Sequence, residues 1–153
     1  MAELLFTQLN HDWNAEPNAP RPRVETLGGD VRLTFFLNPF VFTAFNEGDT
    51  GVLRFVNVEK FRVGPTNDEG WYQGQCRFSE SAPKWGEFYL VSGDETNLRE
   101  PDDWRLLSSD TKQRKHFLFY FRDETFECVA MNCQIEGTTD NALLKLELPE
   151  ILA

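Results

Sequence analysis

The residues of this chain that could bind a metal or act as nucleophiles are few and widely spaced. It contains two histidines, His11 and His116, and three cysteines, Cys76, Cys128 and Cys133. Zinc and iron sites need several such ligands at short spacings, and neither C-x-x-C nor H-x-x-x-H occurs. Cys128 and Cys133 lie five positions apart, an odd separation that places side chains on opposite faces of a regular strand. We therefore predict no metal site and no cofactor.

Acid-base or nucleophilic catalysis could be supported by one polar group, His116 with Asp123 or Glu127. Cys76 could meet His116 across a sheet, but it lies among alternating apolar residues, where a thiol is usually a core residue with a raised pKa. The chain has no G-x-S-x-G motif. Glu127 lies in an apolar strand, where it either faces solvent or lies near a cleft, and alternation favours solvent. The sequence therefore favours a protein without catalytic activity and keeps His116, Asp123 and Glu127 as a secondary polar site.

A second candidate site combines aromatic rings with hydrogen-bonding side chains between residues 71 and 89. Its members are Trp71, Tyr72, Gln73, Gln75, Trp85, Glu87 and Tyr89. Such mixtures are typical of protein-binding faces and of ligand pockets in β-sheet proteins. The alternative is that these rings close the ends of an ordinary core. We predict that this group lines the binding surface.

The charge balance of the chain restricts its partners. Among 153 residues, 25 are acidic and 15 are basic, which gives a net charge of −10. A surface of this kind repels phosphate backbones and anionic lipids, so the sequence predicts neither a nucleic-acid nor a membrane partner. The same charge keeps a protein soluble and can steer a partner that carries a basic patch towards it.

The cysteine count and the chain start indicate the compartment. An odd number of cysteines without paired spacing does not form a disulfide framework. The opening segment MAELLFTQLNHDWN carries Glu3 and an apolar run of only three residues, unlike a signal peptide. No apolar run approaches the roughly 20 residues of a membrane helix. We predict a cytoplasmic protein with reduced thiols.

The length of the chain predicts a single domain over residues 1–153, because domains cluster near roughly 100–150 residues. Its 14 phenylalanines and 4 tryptophans supply a substantial core. Residues 11–22 contain Pro17, Pro20 and Pro22, each of which removes a backbone donor. We predict that this segment is an arm that links the N-terminal segment to a β core.

Strand periodicity is clearest between residues 23 and 63. Apolar residues recur at every second position at Val31, Leu33, Phe35 and Leu37, the pattern of a half-buried strand. Gly28-Gly29 tolerates the two positive φ angles of a type I′ turn and predicts a hairpin with the strand over 23–27. Between residues 52 and 63 the apolar positions change parity, which predicts a β-bulge near Asn57 to Lys60.

The densest apolar pairing is the stretch KHFLFYFRDETFECVAMNCQIEG, from Lys115 to Gly137. It predicts a strand, a polar reversal and a second strand, with the first strand buried on both faces. Ahead of it, Pro101 followed by two aspartates predicts a short helix over 101–107, because proline and acids favour the first helical turn.

Taken together, about 8–9 strands separated by turn residues predict an all-β, antiparallel sandwich or barrel with one or two short helices. Acidity, aromatic excess and the lack of catalytic motifs favour a non-catalytic binding module, accessory or immunity-like, for a protein with a basic patch. The alternative is a β-barrel or sandwich that binds a small apolar or aromatic ligand.

Overall fold

The computed structural model describes residues 5–65, 78, 84, 86–92, 103–108, 114–138 and 145–146. The regular secondary structure in these ranges is entirely β-strand, so they hold no helix that could cross a membrane. The strands are β1 Leu5–Gln8, β2 Asn10–His11, β3 Arg23–Leu27, β4 Asp30–Phe36, β5 Thr50–Pro65, β6 Phe88–Ser92, β7 Arg105–Leu106, β8 Lys115–Tyr120, β9 Glu124–Thr138 and β10 Lys145–Leu146. The predicted all-β class is confirmed.

Eight of these strands form one antiparallel sheet. Its order is β1-β6-β8-β9-β5-β4-β3, and β7 pairs with β5 beside this path. Strands β2 and β10 form a separate antiparallel pair. The antiparallel, all-β arrangement of about eight strands is therefore confirmed, and the finer expectation of a sandwich or a barrel stays a prediction.

The β8–β9 hairpin lies in the middle of the sheet, between β6 and β5. All five residues from His116 to Tyr120 are buried. His116, Leu118 and Tyr120 point to one face and Phe117 and Phe119 to the other, since successive strand residues alternate. Both faces of β8 are thus covered, as the sequence predicts.

The predicted hairpin of β3 and β4 is also confirmed. Leu27 pairs with Asp30 across the two-residue turn Gly28-Gly29. Only Gly28 has a positive φ, at 63°. A single left-handed residue at the first centre is typical of a type II′ turn, whereas the predicted type I′ turn needs two.

The bulge predicted from the parity change in β5 is confirmed. Val58 pairs with Ala130 and Lys60 pairs with Val129, so Glu59 is an extra residue on β5. Nearby, Asn57 takes a positive φ of 51°, a conformation that asparagine tolerates better than most residues. Because of the extra residue, the side chains of β5 that follow Glu59 point to the same faces as those that precede Asn57.

The expectation that Cys128 and Cys133 lie on opposite faces is wrong, because both belong to the buried core of the sheet. Met131 and Asn132 are exposed consecutively between them, and this break in alternation shifts the strand by one position. Burial raises the pKa of both thiols, and Cys133 raises that of Cys128 further. Both cysteines are therefore neutral core residues at physiological pH.

Aromatic contacts show that the sheet is strongly curved. Phe35 on β4 lies 5.0 Å, between ring centroids, from Phe119 on β8, although the two strands are not neighbours. Phe55 on β5 and Phe88 on β6 meet in the same way at 6.1 Å. Trp13, from the segment predicted as an arm, stacks on Phe35 at 5.8 Å. The inner face of the sheet thus closes around aromatic rings.

The short helix predicted over 101–107 is not found in residues 103–108, where Arg105 and Leu106 instead pair with β5 as strand β7. Pro101 and Asp102 lie outside the described residues. The backbone amides of Leu107 and Ser108 both donate to the carbonyl of Glu59, at 2.8 and 3.1 Å. Backbone pairing with the bulged strand therefore overrides the local helix-start signal, as tertiary context commonly does.

Candidate functional site

A chain of charged and polar side chains, of which all but Asp103 are buried, lies on the outer face of the sheet. Glu127 has no exposed surface, and its Oε2 accepts a hydrogen bond from Nη1 of Arg62 at 2.6 Å. Its Oε1 lies 2.7 Å from Nε2 of His116. Arg62 also donates from Nε and Nη2 to the two carboxylate oxygens of Asp103, at 2.7 and 3.2 Å. We call His116, Glu127, Arg62 and Asp103 the Glu127 network.

Strand register explains how three neighbouring strands bring these side chains together. Glu127 on β9 pairs directly with Arg62 on β5 and with Leu118 on β8. His116 is two residues from Leu118, so its side chain lies on the same face as a diagonal neighbour of Glu127.

The expectation that Glu127 faces solvent is wrong. Alternation does place it away from the main aromatic core, but that outer face is covered. The rings of Trp104 and Phe78 each lie 6.1 Å from the His116 ring, and Lys60 Nζ sits 4.7 Å from the centre of the Trp104 ring. Residues distant in sequence thus pack against the buried pair of His116 and Glu127, whereas Asp103 at the end of the network is exposed.

Asp123, the third residue of the predicted polar site, does not join the other two. It is exposed in the turn between β8 and β9. There it contributes, after the larger effect of burial, to raising the pKa of Glu124. The structure therefore brings together His116 and Glu127, adds Arg62 and Asp103, and leaves Asp123 apart.

The Glu127 network holds neighbouring strands of the sheet together. Burial by itself would lower the pKa of Arg62, but the hydrogen bonds and charges of Asp103 and Glu127 outweigh it and raise the pKa. Arg62 is therefore a permanent cation between two acids, and it ties β5 to β9 and to the residues before β7. Within the described ranges, no group of three or more His, Cys, Asp and Glu side chains could hold a metal ion.

Glu87, from the predicted binding surface, fastens the N-terminal segment to the sheet. Its Oε2 accepts hydrogen bonds from the side-chain amides of Gln8, at 3.2 Å, and of Asn10. Its Oε1 accepts one from Asn14 Nδ2 at 3.1 Å. Asn10 Oδ1 in turn accepts from the backbone amide of Phe88 at 3.1 Å. One carboxylate thus satisfies three amides of a segment far away in sequence.

Tyr89, from the same predicted surface, is only 4% exposed. Its hydroxyl accepts from the Lys84 amide at 2.6 Å and donates to the Lys84 carbonyl at 2.9 Å. Burial raises the pKa of Tyr89 to about 12. The other five members, Trp71, Tyr72, Gln73, Gln75 and Trp85, lie outside the described residues, so their part in a binding surface stays a prediction.

Removing the Glu87 carboxylate is expected to loosen the N-terminal segment. Glu87→Ala leaves the side-chain amide of Asn14 without its acceptor and that of Asn10 with the Trp13 carbonyl alone, a loss of about 1–3 kcal/mol when such groups are buried. The Leu9 amide, which donates to the Phe88 carbonyl at 2.8 Å, should then exchange with deuterium faster. Hydrogen exchange and urea unfolding measure both effects. Glu25→Ala, at an exposed position of β3, is the matched control, and equal behaviour of the two variants would contradict the role of Glu87.

An exposed apolar pair, Phe40 and Val41, lies on the loop between β4 and β5. Their exposed fractions are 63% and 68%. Asn38, itself buried, accepts hydrogen bonds on Oδ1 from the amides of both residues at 2.9 and 3.4 Å. Asn38 Nδ2 donates to Asn14 Oδ1 at 2.9 Å. Sequence reasoning missed this pair, although Asn38-Pro39 ahead of two apolar residues is a turn signal that could have indicated it.

Two adjoining depressions lie between edge strand β3 and the turn that joins β8 to β9. Their volumes are about 420 and 210 Å³, and Pro22 and Glu124 line both of them. We call the two together the β3 cleft. Sequence reasoning did not identify it, because its walls come from four separate parts of the chain.

Comparison with known proteins gives no relative for this chain: no protein-family model, no curated protein and no solved structure matches it significantly.

Proposed function

We propose that the protein is a non-catalytic binding module for a protein partner with a basic patch, acting in the cytoplasm as an accessory or immunity-like protein. Its chain is proposed to form one domain in which residues 11–22 connect the N-terminal segment to the β core. The observation that carries the proposal is the fixed, exposed pair Phe40 and Val41 on a strongly acidic protein.

The loop that presents Phe40 is held in one conformation at both of its ends. Asn38 caps its start, as described above. At its end, Asp49 Oδ2 accepts from the Asn46 amide at 2.8 Å, and the Asp49 carbonyl accepts from the Leu37 amide at 2.8 Å. A ring fixed before binding loses little conformational entropy on binding, which favours its use as an anchor.

Charge favours a partner with a basic rim. Glu16, Glu47 and Arg21 line a cleft of about 380 Å³ together with Phe40, and the whole protein carries a charge of −10. An apolar anchor with charged neighbours has the layout of a protein interface, a dry centre and a polar rim. The net negative charge accelerates encounter with a basic surface and makes binding sensitive to salt.

A second candidate function is the carriage of a small apolar or aromatic ligand. The observation that favours it is the β3 cleft, whose smaller depression is lined mainly by apolar residues. Its total size falls within the roughly 300–1,000 Å³ of known ligand pockets. Because aromatic rings fill the interior of the protein, this proposal places the ligand in the β3 cleft, at the edge of the sheet.

The protein-binding proposal is tested by affinity capture from the native cell at low and high salt, followed by titration of the purified partner. We expect a partner whose binding weakens as salt rises. Phe40→Ala should weaken that binding by about 30-fold or more, the effect of losing an aromatic hot spot.

Leu106→Ala is the matched control, because Leu106 is also an exposed apolar residue, at 74%, and lies on a different strand. It should leave the affinity unchanged. Binding that is insensitive to salt, or that survives Phe40→Ala unchanged, would contradict the proposal.

A further inference from the structure

The β3 cleft has one apolar end. Its smaller depression is lined by the apolar residues Val24, Leu33, Val63, Phe121 and Phe126, together with Pro22 and Glu124. Phe121 and Phe126 are each 1% exposed and form a fixed floor, whereas Val63 is 45% exposed. An apolar surface of this shape can accept an aliphatic or aromatic group and remove it from water.

The other end of the cleft carries two cations, Arg21 and Arg23, which line the larger depression. Both are exposed, and neither forms an ion pair with another described residue. By contrast, Arg32, Arg54 and Arg62 are all paired with acids. Unpaired guanidinium groups beside a cleft are suited to a carboxylate, which they bind with two parallel hydrogen bonds.

The backbone fixes this cationic end in place. Arg21 has a positive φ of 44°, a conformation that is strained for a non-glycine residue. The preceding carbonyl, of Pro20, accepts a hydrogen bond from the Phe36 amide at 2.9 Å. The segment is therefore tied to β4, and the strained residue lies at the mouth of the cleft.

Glu124 lies where the two depressions meet. Burial, and secondly the charge of Asp123, raise the pKa of its carboxyl group. Among the described residues, neither Arg21 nor Arg23 forms an ion pair with Glu124. A partly desolvated carboxylate without a cation is stabilised by any ammonium group that binds beside it.

We propose that the β3 cleft binds a small zwitterion with an apolar or aromatic side chain, of the α-amino acid type. Arg21 and Arg23 hold its carboxylate, Glu124 holds its ammonium group, and the apolar end holds its side chain. This inference rests on the second candidate function, for which it names the ligand class. The protein-binding proposal concerns the neighbouring cleft beside Phe40, which shares Arg21 with the β3 cleft.

Calorimetric titration of the whole chain with L-phenylalanine tests the inference. N-acetyl-L-phenylalanine lacks the ammonium charge, and L-phenylalanine amide lacks the carboxylate. We expect saturable binding of L-phenylalanine, and binding of each analogue that is about tenfold weaker or more, because each loses one charge-assisted contact.

Variants of the protein report on the same contacts. Arg23→Gln should remove the preference for L-phenylalanine over its amide, and Glu124→Gln should remove the preference over the N-acetyl form. Glu25→Gln, at an exposed position of the same strand that does not line the cleft, should change neither. Persistence of both preferences in the first two variants would overturn the assignment.

Toluene, an uncharged aromatic probe, separates this inference from the function on which it rests. Binding of toluene in the cleft without saturable binding of L-phenylalanine would overturn the zwitterion assignment and leave the carrier function standing. Absence of binding by both probes would overturn both. Equal affinity for L-phenylalanine and its two analogues would also overturn the zwitterion assignment.

Discussion

Replacing Glu127 with alanine is expected to destabilise the protein by about 3–5 kcal/mol, the usual cost of removing one member of a buried ion pair. The reason is that Arg62, only 8% exposed, keeps its charge, loses the buried carboxylate 2.6 Å away and retains the half-exposed Asp103 as an ion-pair partner. His116 loses its buried partner in the same step. The free energy of unfolding, measured with urea, is the direct readout.

Glu136→Ala is the matched control for this prediction. Glu136 is on the same strand and pairs with Arg32, but about 30% of each side chain is exposed, so solvent screens the pair and its loss should cost little. Equal destabilisation by Glu127→Ala and Glu136→Ala would contradict the structural role of the Glu127 network.

Replacing both residues of the ion pair distinguishes the cost of leaving a buried charge unpaired from the cost of losing a side chain. Replacing Arg62 with methionine and Glu127 with leucine together removes both charges and fills their space with apolar atoms. We expect this double variant to be more stable than Glu127→Ala, because no uncompensated charge stays buried at that pair. A double variant less stable than Glu127→Ala would show that the charges themselves stabilise the fold.

Trp13→Ala is expected to destabilise the protein by about 3–5 kcal/mol, as large-to-small core substitutions of tryptophan do. The Trp13 side chain is fully buried, and its ring centroid lies 5.8 to 6.4 Å from those of Phe35, Phe119 and Phe88. Alanine would leave a cavity between β4 and the β6–β8 pair, which the surrounding rings can only partly fill.

Phe40→Ala controls for the loss of an aromatic side chain as such. Because Phe40 is exposed, its replacement should change the free energy of unfolding by no more than about 0.5 kcal/mol. If Trp13→Ala had an effect as small as Phe40→Ala, the segment 11–22 would be a linker that contributes nothing to the core.

Local sequence patterns were sufficient to predict the features that depend on residues close together in the sequence. Alternation identified the buried side of β4, and a reversal of parity located the bulge at Glu59 in β5. The central β8–β9 hairpin follows from two apolar runs around a polar turn. These features depend on strand periodicity and turn chemistry, which a single sequence contains.

The candidate sites could be predicted only in part, for a physical reason. Alternation predicts which face of a strand a side chain occupies, but it does not predict which residues cover that face. Glu127 was assigned to the outer face correctly and to solvent wrongly, because it is buried beside His116, against which Trp104 and Phe78 pack. In the same way, no local pattern shows that Arg62 is the residue opposite Glu127, since register between distant strands decides it.

The sequence by itself determined the all-β class, the central hairpin and the net charge of −10. Only the tertiary structure decided that Trp13 belongs to the core, that Glu127 is buried beside Arg62, and that a cleft opens between β3 and the β8–β9 turn. Periodicity and net charge are properties of the chain. Burial, strand register and clefts arise when the curved sheet brings distant segments into contact and excludes water between them.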